Sequence, residues 1–272
     1  MPSPIAAACY VVRRAIRLVS FDAFRSLGIP GVSVLKPEDF IRQRVLIEAT
    51  DWVLFPQTWQ LNVLCYAWKR RVFPSPSTYD IGYDKVEQTR VFESLAPAHV
   101  PRTLIRAADE GAIEQAIDEL GLPLVVKEPR NAMGRGVHLL ETRSALRAWC
   151  AQHPVLYAQE YLPLSADLRV VWVGDRVLTA YWRRGGDGFH HNIACSAILD
   201  YEAIPGAALE LLAALARTLG IDHAGFDIAW MDGHPYLLEL NVLFGNAGLR
   251  QAGVDIAGTI VAHLHERVGS AI

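Results

Sequence analysis

The stretch 225–245, GFDIAWMDGHPYLLELNVLFG, restricts the fold more than any other part of the chain. Two apolar runs flank Asp232-Gly233, a pair that suits a tight hairpin turn because glycine accepts positive φ. Folding about Gly233 sets Asp227 opposite Glu239. Side chains two apart on a strand share a face, so Glu239 and Asn241 point the same way. Leu237, Leu238 and Leu240 give these polar groups apolar surroundings. Two carboxylates and one amide oxygen converge, with no thiol or imidazole. Hard oxygen donors of this kind suit Mg²⁺, which takes one or two carboxylates and completes its shell with water and substrate phosphates. The plainer alternative is a half-exposed hairpin with a polar face.

The 272 residues allow one large domain or two to three small ones. Hydrophobic residues make up 51% and charged residues 20%, as in an ordinary globular protein. The net charge of −3 offers no basic field for nucleic acid. Cys9, Cys65, Cys150 and Cys195 are scattered, with no CxxC and no zinc spacing, which fits a reducing, cytoplasmic setting. The apolar run 5–12 lacks a leading positive region and meets Arg13 and Arg14, so no signal peptide is expected. No apolar run reaches the roughly 18 residues that span a bilayer.

Residues 10–84 alternate short strands and helices as an α/β piece. Strands are expected at 15–21 and 51–55, a short helix at 22–27, an amphipathic helix from Pro37 to about Thr50, and a helix at 59–71. The run Phe73-Pro74-Ser75-Pro76-Ser77 breaks the pattern. Helices follow at 85–95 and 109–120, with extended chain at 102–105 between them. Leu124-Val125-Val126-Lys127 is a β-run, 128–136 a loop, 137–140 a strand, and Ser144 caps a helix through Cys150. A strand at 157–161 precedes an antiparallel hairpin of 168–173 and 176–182. The glycine loop 185–188, a helix at 205–219, the 225–245 hairpin and a helix at 254–268 complete the chain.

Lys127 closes an apolar strand and is followed by a loop containing Gly134 and Gly136. A lysine at a strand end can neutralise phosphate, and glycine-bearing loops bring backbone N–H groups close to an anion. The P-loop order and GxGxxG are both absent. A solvated lysine beside a hairpin is the alternative. Asp167 and Arg169 share a strand face, and only one of Arg183 and Arg184 can face inward with them. Forked guanidinium donors bind two oxygens of a phosphate or carboxylate at once. Acids, an amide and arginines on one sheet are the parts that phosphoryl transfer needs. Cross-strand ion pairing on a wet face, worth under about 1 kcal/mol per pair, is the alternative. His190 and His191 face opposite ways and make a poor joint metal site, which leaves Asn192 as the favoured neutral donor. His263 and His265 are expected at the surface, Trp230 and Phe244 in the core.

The order of these features, DKVEQTRVFE at 84–93, PLVVKEPRNAMGRGVHLLET at 123–142, QEYL at 159–162, DLRVVWVGDRVLTAYWRR at 167–184, FHHN at 189–192, GFDIAWMDGHPYLLELN at 225–241 and GVDIAG at 253–258, resembles the ATP-grasp superfamily. The likeness is to its RimK-type carboxylate–amine ligases. It implies an α/β (α+β) ATP-grasp fold: a small pre-ATP-grasp domain over 1–84, a subdomain with a phosphate lid over 85–158, and a C-terminal subdomain with the metal site over 159–272. Lys85 and Lys127 would contact ATP phosphates under a lid at 130–136. Gln159, Glu160, Tyr161 and Leu162 would form the hinge at adenine, and Asp167 would lie near ribose or substrate. Arg169 and one of Arg183 and Arg184 would steady an acyl phosphate. Asp227, Glu239 and Asn241 would hold two Mg²⁺, which Mn²⁺ could replace, with Asn192 beside them. The implied reaction activates a carboxylate with ATP and transfers it to an amine.

Two segments depart from the family pattern. Ile193-Ala194-Cys195-Ser196-Ala197 replaces a basic, glycine-containing run, and Val242-Leu243-Phe244-Gly245 replaces a small residue followed by Pro-Gly. Both border the acceptor side of the family's site. The substrates expected are small-molecule or peptide carboxylates and amines, without nucleic acid or membrane, and a homo-oligomer is allowed. A kinase on the same fold and a non-catalytic ATP-binding module are the rival readings.

Overall fold

The computed structural model describes residues 15–130, 136–185 and 198–268. They divide into two compact units, one of 15–73 with 257–268 and one of 74–256. The closing helix, Ile256–Arg267, thus groups with the N-terminal unit from Ala257 onward rather than with the C-terminal subdomain.

In the first unit, β1 (Leu18–Ser20), β2 (Val32–Val34), β3 (Trp52–Leu54) and β4 (Val72–Phe73) form a parallel sheet in the order β2-β1-β3-β4. The helices are shorter than the sequence pattern suggests. The expected helix at 37–50 becomes a 3₁₀ turn, Pro37–Asp39, and a single α-turn, α1 (Arg44–Glu48). The expected helix at 59–71 is α2 (Thr58–Asn62) running into a π-turn, Val63–Ala67. Residues 22–27 are turns, because Ser20 and Asp22 side chains bond the local backbone in competition with helical bonding. His263, expected at the surface, is 3% exposed, and its ring lies 6.0 Å from that of Phe73.

The second unit opens with α3 (Pro76–Tyr83), which the Pro-Ser run seemed to forbid. Ser75 accepts a bond from the Thr78 N–H and Pro76 occupies the first turn, where no amide donor is needed. Asp84 then caps α4 (Lys85–Leu95). A four-stranded antiparallel sheet follows, β5 (Thr103–Ala107), β6 (Leu124–Lys127), β7 (Val137–Leu140) and β8 (Val155–Glu160), in the order β5-β8-β6-β7. Helices α5 (Glu110–Leu120) and α6 (Arg143–Cys150) accompany it, and Ile113, Leu124, Leu146 and Leu156 share its core. Thr142, not Ser144, caps α6 by accepting from the Ala145 N–H.

The second sheet is antiparallel in the order β11-β10-β9-β12-β13. Its strands are β9 (Ala166–Val173), β10 (Arg176–Arg184), β11 (Ile198–Asp200), β12 (His223–Met231) and β13 (His234–Asn241). Helix α7 (Gly206–Leu219) ends at Gly220 in the left-handed region, and a short α8 (Ala247–Gln251) follows β13. The β12–β13 turn has φ of 51° at Asp232 and 78° at Gly233, the two positive values that a type I′ hairpin requires.

Candidate active site

Strand register builds the site. Tyr181 pairs with Arg169, Arg169 with Asp227, and Asp227 with Glu239, so one row crosses β10, β9, β12 and β13. Arg183 pairs with Asp167 in the neighbouring row on the same face. Gly225 pairs with Asn241 on the other side. The acids, the arginines and the amide therefore occupy one face for the simple reason that directly paired residues point the same way.

The ion pairs in this row are tight. Arg183 donates from Nε to Asp167 Oδ1 at 2.7 Å and from Nη2 to Asp167 Oδ2. Its Nη2 also lies 3.1 Å from Asp227 Oδ1. Arg169 donates from Nη2 to Asp227 Oδ2 at 3.1 Å, and Asn241 Nδ2 lies 3.3 Å from the same oxygen. Arg169 Nε and Asp227 Oδ1 approach to 2.5 Å without a well-aligned hydrogen bond, so they meet as an ion pair. Burial opposes the charge on Arg183, yet Asp227 and Asp167 together hold its pKa above the ordinary value. Burial pushes the Asp167 carboxyl upward while the Arg183 guanidinium draws it back. Gly225 makes room for the network: a Cβ there would lie 2.3 Å from Arg169 Nη1 and 3.0 Å from Phe244 Cβ.

The lysines close the other end. Lys85, the first residue of α4, places Nζ 3.2 Å from Glu239 Oε1. One turn on, Gln88 donates to the Leu240 carbonyl at 3.0 Å and accepts from the Leu240 N–H at 2.8 Å. β13 is the edge strand, so these are the backbone groups with no strand neighbour, and Gln88 both satisfies them and fixes Glu239 beside Lys85. His223 bonds the Val242 carbonyl at 2.8 Å and stacks on Phe244, pinning the chain just past Asn241.

Lys127 is buried, not a solvated lysine, and its Nζ sits 5.5 Å above the Tyr157 ring. Burial lowers its pKa to about 8, with Glu239 and Asp227 opposing the fall and Lys85 adding to it. A buried ammonium short of full compensation is prepared for an anion. The loop after it is closed at its base by the Glu128 N–H on the Gly136 carbonyl, 2.7 Å. The Lys85 N–H bonds the Pro129 carbonyl at 2.9 Å, which ties α4 to the same loop.

The structure brings together Lys85, Lys127, Asp167, Arg169, Arg183, Asp227, Glu239 and Asn241. It corrects two expectations, those for Arg184 and Trp230. Arg184 turns to the opposite face, where it pairs with Asp200 at 2.9 Å and lies over Trp182, so it does not join the row. That face borders a separate 220 Å³ cavity lined by Trp182, Arg184 and Trp230, and Trp230 is only partly buried rather than in the core. The Glu160 carboxylate is taken by Arg102 at 2.8 Å from both its backbone N–H and its Nε. Gln159 turns its amide inward to Thr103, while Tyr161 and Leu162 follow β8 as half-buried chain. Gly134 and Asn192 lie outside the described residues. Gln88, Gly225 and Tyr181 were not singled out from sequence. Only Tyr181 carried a usable signal, its spacing two residues before Arg183.

If Lys127 meets phosphate as an ammonium, ATP binding should take up protons above pH 8 and weaken as pH rises from 7 to 9. Calorimetry in buffers of different ionisation enthalpy measures both effects. Lys127→Ala should bind ATP about ten-fold or more weakly and lose that pH dependence; unchanged affinity removes this lysine from the site.

The fold agrees with that of known proteins. A domain model described as the RimK-like ATP-grasp domain matches residues 84–264. An Escherichia coli protein named ribosomal protein bS6–L-glutamate ligase is 34% identical over 149 residues, covering 52% of this chain and 50% of that protein. The chain spans about half the length of the curated relatives it matches. Among solved structures, a RimK-domain ATP-grasp protein from Sphaerobacter thermophilus superposes with a TM-score of 0.70 at 19% identity, covering 91% of this chain and 98% of that one. D-alanine–D-alanine ligase from Bacillus anthracis, complexed with ATP, gives 0.68 at 16% identity, covering 93% and 97%. The fold is that of ATP-grasp proteins. With the match running from the capping Asp84 through the lysines, the arginine row and the hairpin acids, the chain belongs to the RimK-like ATP-grasp family.

Proposed function

We propose that the chain is an ATP- and Mg²⁺-dependent ligase that joins a carboxylate to an amine. The observation that carries this reading is the single sheet face shared by two hairpin carboxylates and two ion-paired arginines, with Lys85 paired to Glu239 and buried Lys127 within electrostatic reach of both acids. The donor set fits Mg²⁺. Asp227 and Glu239 are directly paired, and Asn241 lies beside Asp227. Two carboxylates and an amide are hard oxygen donors of the kind Mg²⁺ takes when phosphates supply its other ligands. Asp227, Glu239 and Asn241 would hold two such ions, with Mn²⁺ able to substitute. An ion held there would neutralise phosphate charge.

The residues then divide the work. Lys85 and Lys127 hold the triphosphate. The substrate carboxylate attacks the γ-phosphorus, the bond to ADP breaks, and an acyl phosphate forms. A neutral amine attacks the acyl carbon, phosphate leaves with the C–O bonding pair, and the nitrogen loses a proton to give the amide. Arg169 and Arg183 are held rigid by Asp227 and Asp167, so their donors are aimed before charge develops. The carboxylate and amine are a small molecule, a peptide or a protein terminus. Among the described residues no helix is long and apolar enough to cross a membrane.

The decisive assay is ADP release with Mg²⁺ across mixtures of peptides and free amino acids. Release that needs a carboxylate and an amine together supports ligation. Release with one partner alone indicates a kinase, and none with any mixture indicates a binding module.

A further inference from the structure

We infer that the cavity bordered by Trp182, Arg184 and Trp230 is a second binding site, one that takes a carboxylate on a short apolar stem. Strand register separates it from the site above. Arg183 pairs with Asp167, so Trp182 and Arg184, one residue to either side, lie on the opposite face of β10. Arg184 pairs with Ala166, and Leu168 pairs with both Trp182 and Ile228. Trp230 stands two residues beyond Ile228 on β12 and shares its face. Residues 163–166 and Met231 complete the lining of this 220 Å³ space. It is smaller than the roughly 300–1,000 Å³ pockets that enclose drug-sized ligands, which suits a small acid or one end of a peptide.

Two of the lining side chains carry donors without acceptors. Trp182 is 8% exposed, and its indole N–H has no hydrogen-bond partner among the described residues. Buried donors normally find one, so an orphan in a cavity wall points to a group that arrives from outside. The Arg184 guanidinium lies 5.6 Å from the centre of the Trp182 ring. Among the described residues it donates only from Nε, to Asp200 Oδ2 at 2.9 Å. Its Nη1 and Nη2 are therefore left for a ligand. Those two groups lie in one plane and match the two oxygens of a carboxylate, a fork that a lone hydroxyl cannot fill. Asp200 already offsets the charge of Arg184, so a singly charged acid fits better than a doubly charged phosphate. An ammonium is disfavoured, because the guanidinium already covers the Trp182 ring. The two indoles and Met231 give a carbon stem an apolar wall to leave water against.

The test uses the full chain labelled with fluorotryptophan, with the Trp182 and Trp230 fluorine NMR signals assigned through Trp182→Phe and Trp230→Phe. Isocaproate, its neutral amide and inorganic phosphate are titrated separately. Isocaproate should shift both signals saturably, and the amide and phosphate should bind about ten-fold more weakly. Arg184→Gln, at an exposed position, should lose the acid's advantage over the amide. Only signals from this cavity are read, so the result stands apart from any acid bound at the ligase site. Signals that stay still at millimolar isocaproate would overturn the proposal, as would an amide or phosphate that binds native protein as tightly as the acid. So would an advantage of acid over amide that survives intact in Arg184→Gln. Should that variant fail to fold, the comparison of acid with amide on native protein still decides.

Discussion

Glu239→Gln is expected to cut ADP release about 10²- to 10³-fold while leaving the fold intact. The substitution keeps shape and volume and removes one negative charge. Glu239 is the acid closest to Lys85, at 3.2 Å, and pairs directly with Asp227 across the hairpin. A neutral amide there is a weaker ligand for a hard cation and no longer balances Lys85. Stability should change little, because the side chain keeps about a quarter of its surface in water and a partly solvated pair contributes little. Steady-state ADP release and a denaturation curve on the same preparation separate the two effects. Normal turnover would place the metal elsewhere.

Arg183→Met should instead act on the fold. Arg183 is the buried hub between Asp167 and Asp227, and removing it strands a carboxylate that is nine-tenths buried. Breaking such a pair from one side costs about 3–5 kcal/mol. Urea denaturation should show that loss, and Arg183→Met combined with Asp167→Leu should recover much of it, since both charges of the tightest pair are then gone. Activity should not return in the double variant, because the donor lost is also the one proposed to meet the substrate. A single variant as stable as the native protein would mean that water reaches Asp167.

The parts that were legible in the sequence are those governed by local rules. Asp232-Gly233 set the turn, the turn set the register, and the register placed Asp227 opposite Glu239. Lys127 could be put at a strand end from the apolar run that precedes it. What was not legible depended on phase or on distant packing. Alternation says that Arg183 and Arg184 face opposite ways, but only pairing with Asp167 decides which is inside. Gln88 looks like an ordinary helix residue until an edge strand lies against it. Proline at 76 reads as a breaker, yet Ser75 turns the same residues into a helix start. Gly248 shows no local pattern either, yet its lack of a side chain is what leaves room for the Tyr181 ring.

The most direct measurement is calorimetric titration of ATP into the native protein with and without Mg²⁺, repeated with Glu239→Gln. Native protein should bind ATP markedly more tightly with Mg²⁺ present, and most of that gain should vanish in Glu239→Gln. Native affinity that is the same with and without Mg²⁺, or a gain that survives intact in the variant, would contradict a metal-bound triphosphate held by Lys85, Lys127 and the hairpin acids.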